Sequence, residues 1–267
     1  TFALTTGLRL DEHEQYGAHI SPRVYGVWRA TDQWTLKGGI ARGFKAPELR
    51  AVVEDYAYLR RNRFVMFGNP DLKPQTSTNY EVSALWSNRD NLSGGVTLFY
   101  NDFQDKLSTV TTDRVWNGYT VMDRVNVDKA IIQGIELNGQ WGVSDSVLLK
   151  ANYTYTDSEQ KSGANKGAPL ALTPKQKANV RTEWSINDRT QAWASLSYYG
   201  EETGNTLTTD EPAPGYTTAD LGGSFDVTDS LTLNASLNNL TDKRLDDETY
   251  GTVNYGRTLW MGATPNF

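Results

Sequence analysis

Apolar and polar residues alternate along most of this chain. From Leu231 to Asn238 the order is Leu-Thr-Leu-Asn-Ala-Ser-Leu-Asn, and a period of two belongs to a β-strand with one apolar and one polar face. Ala178, Val180, Thr182, Trp184 and Ile186 alternate in the same way with Asn179, Arg181, Glu183 and Ser185. Val147, Leu149, Ala151, Tyr153 and Tyr155 alternate with Lys150, Asn152, Thr154 and Thr156, and Ala192, Ala194, Leu196 and Tyr198 with Gln191, Ser195 and Ser197. The pattern predicts about twelve strands, near residues 2–11, 21–30, 33–44, 77–87, 92–104, 124–142, 146–157, 172–186, 190–200, 216–227, 231–241 and 257–267.

The connections fall into two classes. Short turns are expected at 30–33, 87–90, 143–146, 186–189 and 227–230, where Asn, Asp and Ser side chains can bond nearby backbone. Long connections are expected at 45–76, 105–123, 158–171, 201–215 and 242–256. Strict alternation of the two classes puts all short turns at one rim of an up-and-down barrel and all long loops at the other, as in outer-membrane barrels. Trp28 and Trp34 flank the first short turn, and Trp86, Trp141 and Trp184 each precede a later one. On the apolar face they form an interfacial girdle, where an amphipathic indole is favoured. The expected fold is therefore all-β, an antiparallel transmembrane barrel.

Composition is consistent with this. Hydrophobic residues make up only 38% of the 267 and mean hydropathy is −0.57, with no apolar run near the ~18 residues of a spanning helix. A barrel strand needs only about 9–11 residues, half of them polar. Without cysteine, no disulfide or thiolate metal site is possible. A net charge of −6 argues against a nucleic-acid partner, which calls for a basic surface. The chain starts at Thr1 in a strand pattern without a signal peptide, as expected of a mature or truncated product. The glycine pairs 38–39, 94–95 and 222–223 fall inside strands and are expected to mark bends or close backbone approach. Leu259, Met261, Ala263, Pro265 and Phe267 share one face of the last strand.

Several stretches resemble one family. They are Gly43-Phe44-Lys45-Ala46-Pro47, the 69–77 segment Asn-Pro-Asp-Leu-Lys-Pro-Gln-Thr-Ser with Gln75 in place of the family's Glu, Tyr100-Asn101-Asp102-Phe103, Asn126–Ala130 with Gln133–Glu136, Asn238–Lys243 and Gly256-Arg257-Thr258. Taken in order, they are similar to the C-terminal barrel portion of TonB-dependent outer-membrane siderophore receptors, of the enterobactin-receptor and colicin-I-receptor type. The resemblance implies a 22-stranded barrel of which residues 1–267 supply about twelve strands, with the plug domain, the TonB-contacting region and the N-terminal strands absent from this sequence. It implies uptake of ferric catecholate-type siderophore, a place among outer-membrane lipid and lipopolysaccharide, and use of the loops by colicins or phage. Iron would arrive inside its chelator as cargo, so no cofactor or protein metal ligand is expected. The alternative is a free-standing or engineered 12-stranded barrel derived from the receptor wall.

The ligand class directs attention to the long loops. Residues 48–69 carry Tyr56, Tyr58, Arg60, Arg61, Arg63, Phe64 and Phe67. Arginine supplies charge and planar hydrogen bonding, and tyrosine or phenylalanine supplies stacking faces for an anionic aromatic ligand. Arg114, Trp116 and Tyr119, with Arg124, make a second such group in the next loop. No catalytic residues are expected. A membrane phospholipase needs a histidine on the wall, whereas His13 and His19 are expected in or beside a loop, with Asp11, Glu12 and Glu14 forming a solvated acidic cluster around His13. Lys37, Glu81, Glu136, Lys150, Arg181 and Glu183 fall on the polar face by parity and are read as solvated or ion-paired wall charge. Asp242, Asp246, Asp247 and Glu248 read as a solvated acidic loop without EF-hand spacing.

Overall fold

The alternating segments form one antiparallel wall. The computed structural model describes residues 1–54, 56–60, 62–163, 166–202, 212–250 and 252–265, leaving out the side chains of Asp128, Asp247 and Glu248. The strands are β1 (Phe2–His13), β2 (Gly17–Arg29), β3 (Trp34–Lys45), β4 (Ala57–Arg60), β5 (Phe64–Phe67), β6 (Gln75–Ser87), β7 (Leu92–Trp116), β8 (Tyr119–Ser144), β9 (Val147–Gln160), β10 (Gln176–Asn187), β11 (Thr190–Tyr199), β12 (Tyr216–Thr228), β13 (Leu231–Asn238) and β14 (Thr258–Pro265), with two single-turn helices, α1 (Leu49–Val52) and α2 (Asp247–Tyr250). Twelve strands pair in chain order, β1-β2-β3-β6-β7-β8-β9-β10-β11-β12-β13-β14, while β4 and β5 sit off this path. Those two short strands are additions to the twelve expected. No ladder joins β1 to β14 among the described residues, so these twelve strands do not close on themselves. Phe267 lies outside the described residues.

Among the described residues, the apolar face of the wall has no second sheet against it. Val82 is 63% exposed, Leu98 56% and Leu196 52%, and the buried hydrophobic residues lie instead in the long-loop region, among them Phe64, Met66, Leu72 and Met122. In water such a face would be a large uncovered apolar surface; in a bilayer it is the lipid contact. Trp28, Trp34, Trp141 and Trp184 are exposed with it, and Trp34 stands opposite Trp86 in the β3–β6 register. The polar face is cross-linked within itself. Lys150 and Arg181 both pair with Glu183 at 2.9 Å, Arg181 lies 4.1 Å from the Trp193 ring centroid, and the Tyr25 hydroxyl donates to Glu81 at 3.1 Å. The Tyr25 ring covers Gly39. A Cβ there would meet Tyr25 Cδ2 at 2.4 Å and the Val24 carbonyl at 2.6 Å, so this glycine permits the close approach expected of the strand-interior pairs.

The short turns use the side chains the sequence offers. Thr31 Oγ1 accepts from the Gln33 amide, Asn88 Oδ1 from Asp90, Asn187 Oδ1 from Arg189 and Thr228 Oγ1 from Ser230, at 3.0–3.3 Å. The other rim departs from strict alternation at two places. β1 and β2 are joined by the three-residue turn 14–16. The expected long loop 105–123 is mostly strand: β7 and β8 run 25 and 26 residues and stay paired out to Trp116 and Tyr119. Asn117 and Gly118 close this ribbon with φ of 48° and 83°. Both signs are what a two-residue type I′ hairpin turn requires, and Asn-Gly is its commonest sequence. That dipeptide was the available signal for the hairpin.

The histidines also differ from expectation, since both belong to strands: His13 ends β1 and His19 is in β2. Each is held by its neighbours. His19 stacks on Phe44 with centroids 3.8 Å apart and bonds the Tyr16 carbonyl at 2.9 Å, while His13 Nδ1 accepts from the Gln15 amide.

Candidate ligand-binding site

Between β3 and β6 the chain leaves the wall and returns, and what it builds there depends on β8. β4 pairs antiparallel with β5, and β5 pairs parallel with β8 through Phe64↔Thr120, Val65↔Val121 and Met66↔Met122. The distant segments thus meet in a small core of Phe64, Met66 and Met122, with Tyr58 packed on it. Gly68 closes this unit. Its amide donates to the Tyr56 carbonyl at 3.0 Å, and an added Cβ would lie 1.8 Å from the Val53 carbonyl oxygen, so only glycine fits. The Asn69–Pro74 segment is then tied to the ribbon. Asn69 Nδ2 donates to the Arg124 carbonyl at 2.9 Å. Asn126 accepts from the Lys73 amide at 2.8 Å and donates to the carbonyls of Lys73 and Asp105 at 2.9 and 2.8 Å.

Above this core lies a cavity of about 460 Å³. Lys45, Arg50, Arg60 and Arg124 line it together with Tyr58 and Glu48. Tyr58 sits within reach of two guanidinium groups, those of Arg50 and Arg124, each 5.5 Å from its ring centroid. Arg124 also donates to the Tyr58 hydroxyl at 2.6 Å, and that hydroxyl donates to Met66 Sδ at 3.1 Å. The ring is therefore fixed. Glu48 accepts from Arg50 Nε at 2.6 Å, which holds its carboxyl below the usual range and raises the guanidinium. Among the described residues, Lys45 and Arg60 make no ion pair. Four cations against one carboxylate suit a compact anion, and a fixed aromatic ring between them suits a flat one.

The sequence-based candidates scatter around this cavity. Tyr58 and Arg60 line it. Tyr56 is exposed and 6.1 Å from Tyr58. Arg63 extends over the Phe64 ring at 5.9 Å. Phe64, expected as a stacking face, is only 5% exposed and belongs to the core. Arg61 lies outside the described residues. Arg114 pairs with Asp123, Trp116 meets Phe67 edge-on at 5.8 Å, and Tyr119 stands opposite Trp116 at the hairpin tip. Lys45, Glu48 and Arg50 were not among the candidates. Their signal was position: Lys45 ends β3, and Glu48 and Arg50 follow it directly, where a wall strand opens into the longest connection.

The acidic loop is held by its own contacts. Asp242 Oδ1 accepts from the Arg257 amide at 2.9 Å, and Asp246 Oδ1 accepts from Thr249 at 2.6 Å. The side chains of Asp247 and Glu248 lie outside the described residues.

A wall of paired strands, an apolar face without a partner sheet, and a cationic aromatic cavity at one rim define an outer-membrane receptor barrel. The chain belongs to the TonB dependent receptor-like β-barrel family, whose model matches residues 1–240, and this places it in the bacterial outer membrane. It is 41% identical to the iron-regulated outer membrane virulence protein of Vibrio cholerae over 98% of this chain and 41% of that protein. It is 31% identical to the ferric enterobactin receptor of Pseudomonas aeruginosa over 99% of this chain and 40% of that protein. The chain thus spans about two-fifths of the length of the curated relatives it matches. A crystal structure of a mutant of the Pseudomonas aeruginosa receptor in complex with enterobactin superposes with a TM-score of 0.79 at 27% identity, covering all of this chain and 43% of that one.

Proposed function

We propose that this chain supplies part of the wall and the ligand-recognising rim of a TonB-dependent receptor that imports ferric catecholate-type siderophores. One observation carries the reading: Lys45, Arg50, Arg60 and Arg124 converge with Tyr58 on one cavity at the long-loop rim. A ferric tris-catecholate is a compact trianion with flat aromatic faces, and this lining complements both properties. The relatives' names support the ligand class. Tyr56, Arg61, Arg63, Arg114, Trp116 and Tyr119 are assigned, from sequence, to the loop surface that meets the ligand before it reaches the cavity. Membership of the family supports the rest of the reading: energy coupling through TonB, lipid and lipopolysaccharide around the apolar face, and the long loops as the surface open to colicins or phage. No catalytic step is assigned. The edges of β1 and β14, unpaired among the described residues, weigh against a free-standing twelve-stranded barrel, because unpaired backbone groups in hydrocarbon cost several kcal/mol each.

The test is ferric enterobactin binding to the receptor that carries these residues, read by fluorescence quenching. Arg60→Gln and Arg124→Gln should each weaken binding about tenfold or more, as expected for loss of a hydrogen bond to a charged group. Arg89→Gln at the opposite rim should leave affinity as it was. Unchanged affinity in both cavity variants removes the assignment.

A further inference from the structure

Glu48 is the one carboxylate among the described residues that line the cationic cavity. It stands at the N-cap of α1, yet its side chain makes no capping bond there. Oε2 accepts from Arg50 Nε instead, at 2.6 Å. Arg50 is the main influence on this carboxyl, and Arg124 and Lys45 pull on it in the same direction. The carboxylate therefore lies in the field of three of the four cavity cations, where the oxygens of an anionic ligand would lie. The pair is also easily broken. Its side chains are 55% and 58% exposed, and exposed pairs hold together only weakly.

We propose that Glu48 is a resident counter-ion of the cavity: it holds Arg50 beside Tyr58 when no ligand is present and surrenders the guanidinium to an arriving polyanion, which limits how long that ligand stays. This rests on the anion-binding reading above. The physical consequence is a difference of affinities. A ligand oxygen that reaches Arg50 replaces a contact already made, so the gain at that cation is only the surplus over Glu48. Among the described residues, the other three cations have no such competitor. The effect falls on dissociation, since most affinity differences within one interface do. For an importer, which must let its cargo go, a built-in competitor keeps binding reversible.

The experiment uses ferric enterobactin and the receptor carrying these residues, with binding and dissociation rates measured at several salt concentrations. Glu48→Gln keeps the side chain's size and removes its charge. It should bind about two- to fivefold more tightly, the range an exposed ion pair allows, with slower dissociation and a steeper salt dependence. In an Arg50→Gln background the same substitution should gain little, because the competed-for group is gone. Unchanged binding by Glu48→Gln overturns the proposal. Weaker binding overturns it too, and makes Glu48 a residue that positions Arg50. A full gain that persists without Arg50 overturns it in favour of a general charge effect. If Arg60→Gln weakens binding while Glu48→Gln is silent, the binding site stands and the counter-ion fails. If the unaltered receptor does not bind ferric enterobactin, both fail.

Discussion

Asn126 is the side chain on which the geometry of the cavity most depends, and its removal has a calculable effect. It makes three hydrogen bonds at 2.8–2.9 Å, two to the backbone of Lys73 and one to the carbonyl of Asp105. It therefore pins the segment that returns to β6 onto the ribbon that carries Arg124. A neutral hydrogen bond contributes about 0.5–1.5 kcal/mol net, and two of the three join the segment to the ribbon, so Asn126→Ala should release this attachment by about 1–3 kcal/mol; the third, to Asp105, lies within the ribbon. The loss is local, because the ladders of the wall do not involve this side chain. Hydrogen exchange followed by mass spectrometry on the membrane-embedded receptor measures it directly. Peptides covering 69–74 should exchange about five- to 150-fold faster by the same arithmetic, while peptides from β10–β13 stay as they were. Asn126→Asp offers a finer comparison. It keeps the acceptor for the Lys73 amide, loses both donations, and sets a carboxylate against two carbonyl oxygens, so it should be at least as damaging as alanine. Unaltered exchange at 69–74 in the alanine variant would show that the segment is held by something other than the two Asn126–Lys73 bonds, and the account of how the cavity is built would be wrong.

Three further outcomes are expected. Gly39→Ala places a methyl group 2.6 Å from the Val24 carbonyl and 2.4 Å from the Tyr25 ring, an overpacking cost of about 1–3 kcal/mol that should lower the temperature at which the barrel unfolds in gel-shift assays; an unchanged midpoint contradicts the packing. The Asp242 carboxyl is held below its ordinary range chiefly by the Arg257 amide, so it favours the ordered loop above the ordinary carboxylate range and that support is lost as pH falls through the depressed value; amide exchange at Arg257 should rise in that acid window, and Asp242→Asn should abolish the dependence. Single-tryptophan variants retaining Trp34, Trp141 or Trp184 should be quenched by brominated lipid, whereas one retaining Trp193, under the Arg181 guanidinium, should not; equal quenching would overturn the assignment of faces.

The wall was legible in the sequence because lipid and water impose opposite demands on successive residues. Ile40, Val82 and Leu98 could be set apart from Lys37, Glu81 and Thr97 by parity alone. The legibility stopped where that contrast stopped. Beyond Gln104, where β7 runs past its partner β6, Ser108–Arg114 is polar on both faces but for Val110 and carries no alternation to read, and the ribbon passed for a loop. β5 fails for the opposite reason: Phe-Val-Met-Phe is apolar on both faces because three of its four residues are buried, and a short continuous apolar run has no period. The loop arginines and tyrosines were visible as a composition, but their grouping was not. Tyr58 meets Arg124 across 66 positions only because β5 adds to β8 in parallel, and no local pattern announces a parallel pairing between distant segments. Phe64 was assigned to ligand stacking from its type, when its place in that pairing makes it core.

The ribbon of β7 and β8 has a mechanical meaning. β6 accompanies β7 only as far as Gln104, and β9 leaves β8 at Ala130; at that level Asp105 adopts a left-handed φ of 51°. Above it, β8 carries β5, β5 carries β4, and Asn126 carries the strand back toward β6. The arginines and the tyrosine therefore travel on a single lever with its fulcrum at the membrane rim. Such a part tilts as a whole, so a small rotation at its base can widen or narrow the cavity against Lys45 at the end of β3, while the spacing of Arg60, Arg124 and Tyr58 is preserved.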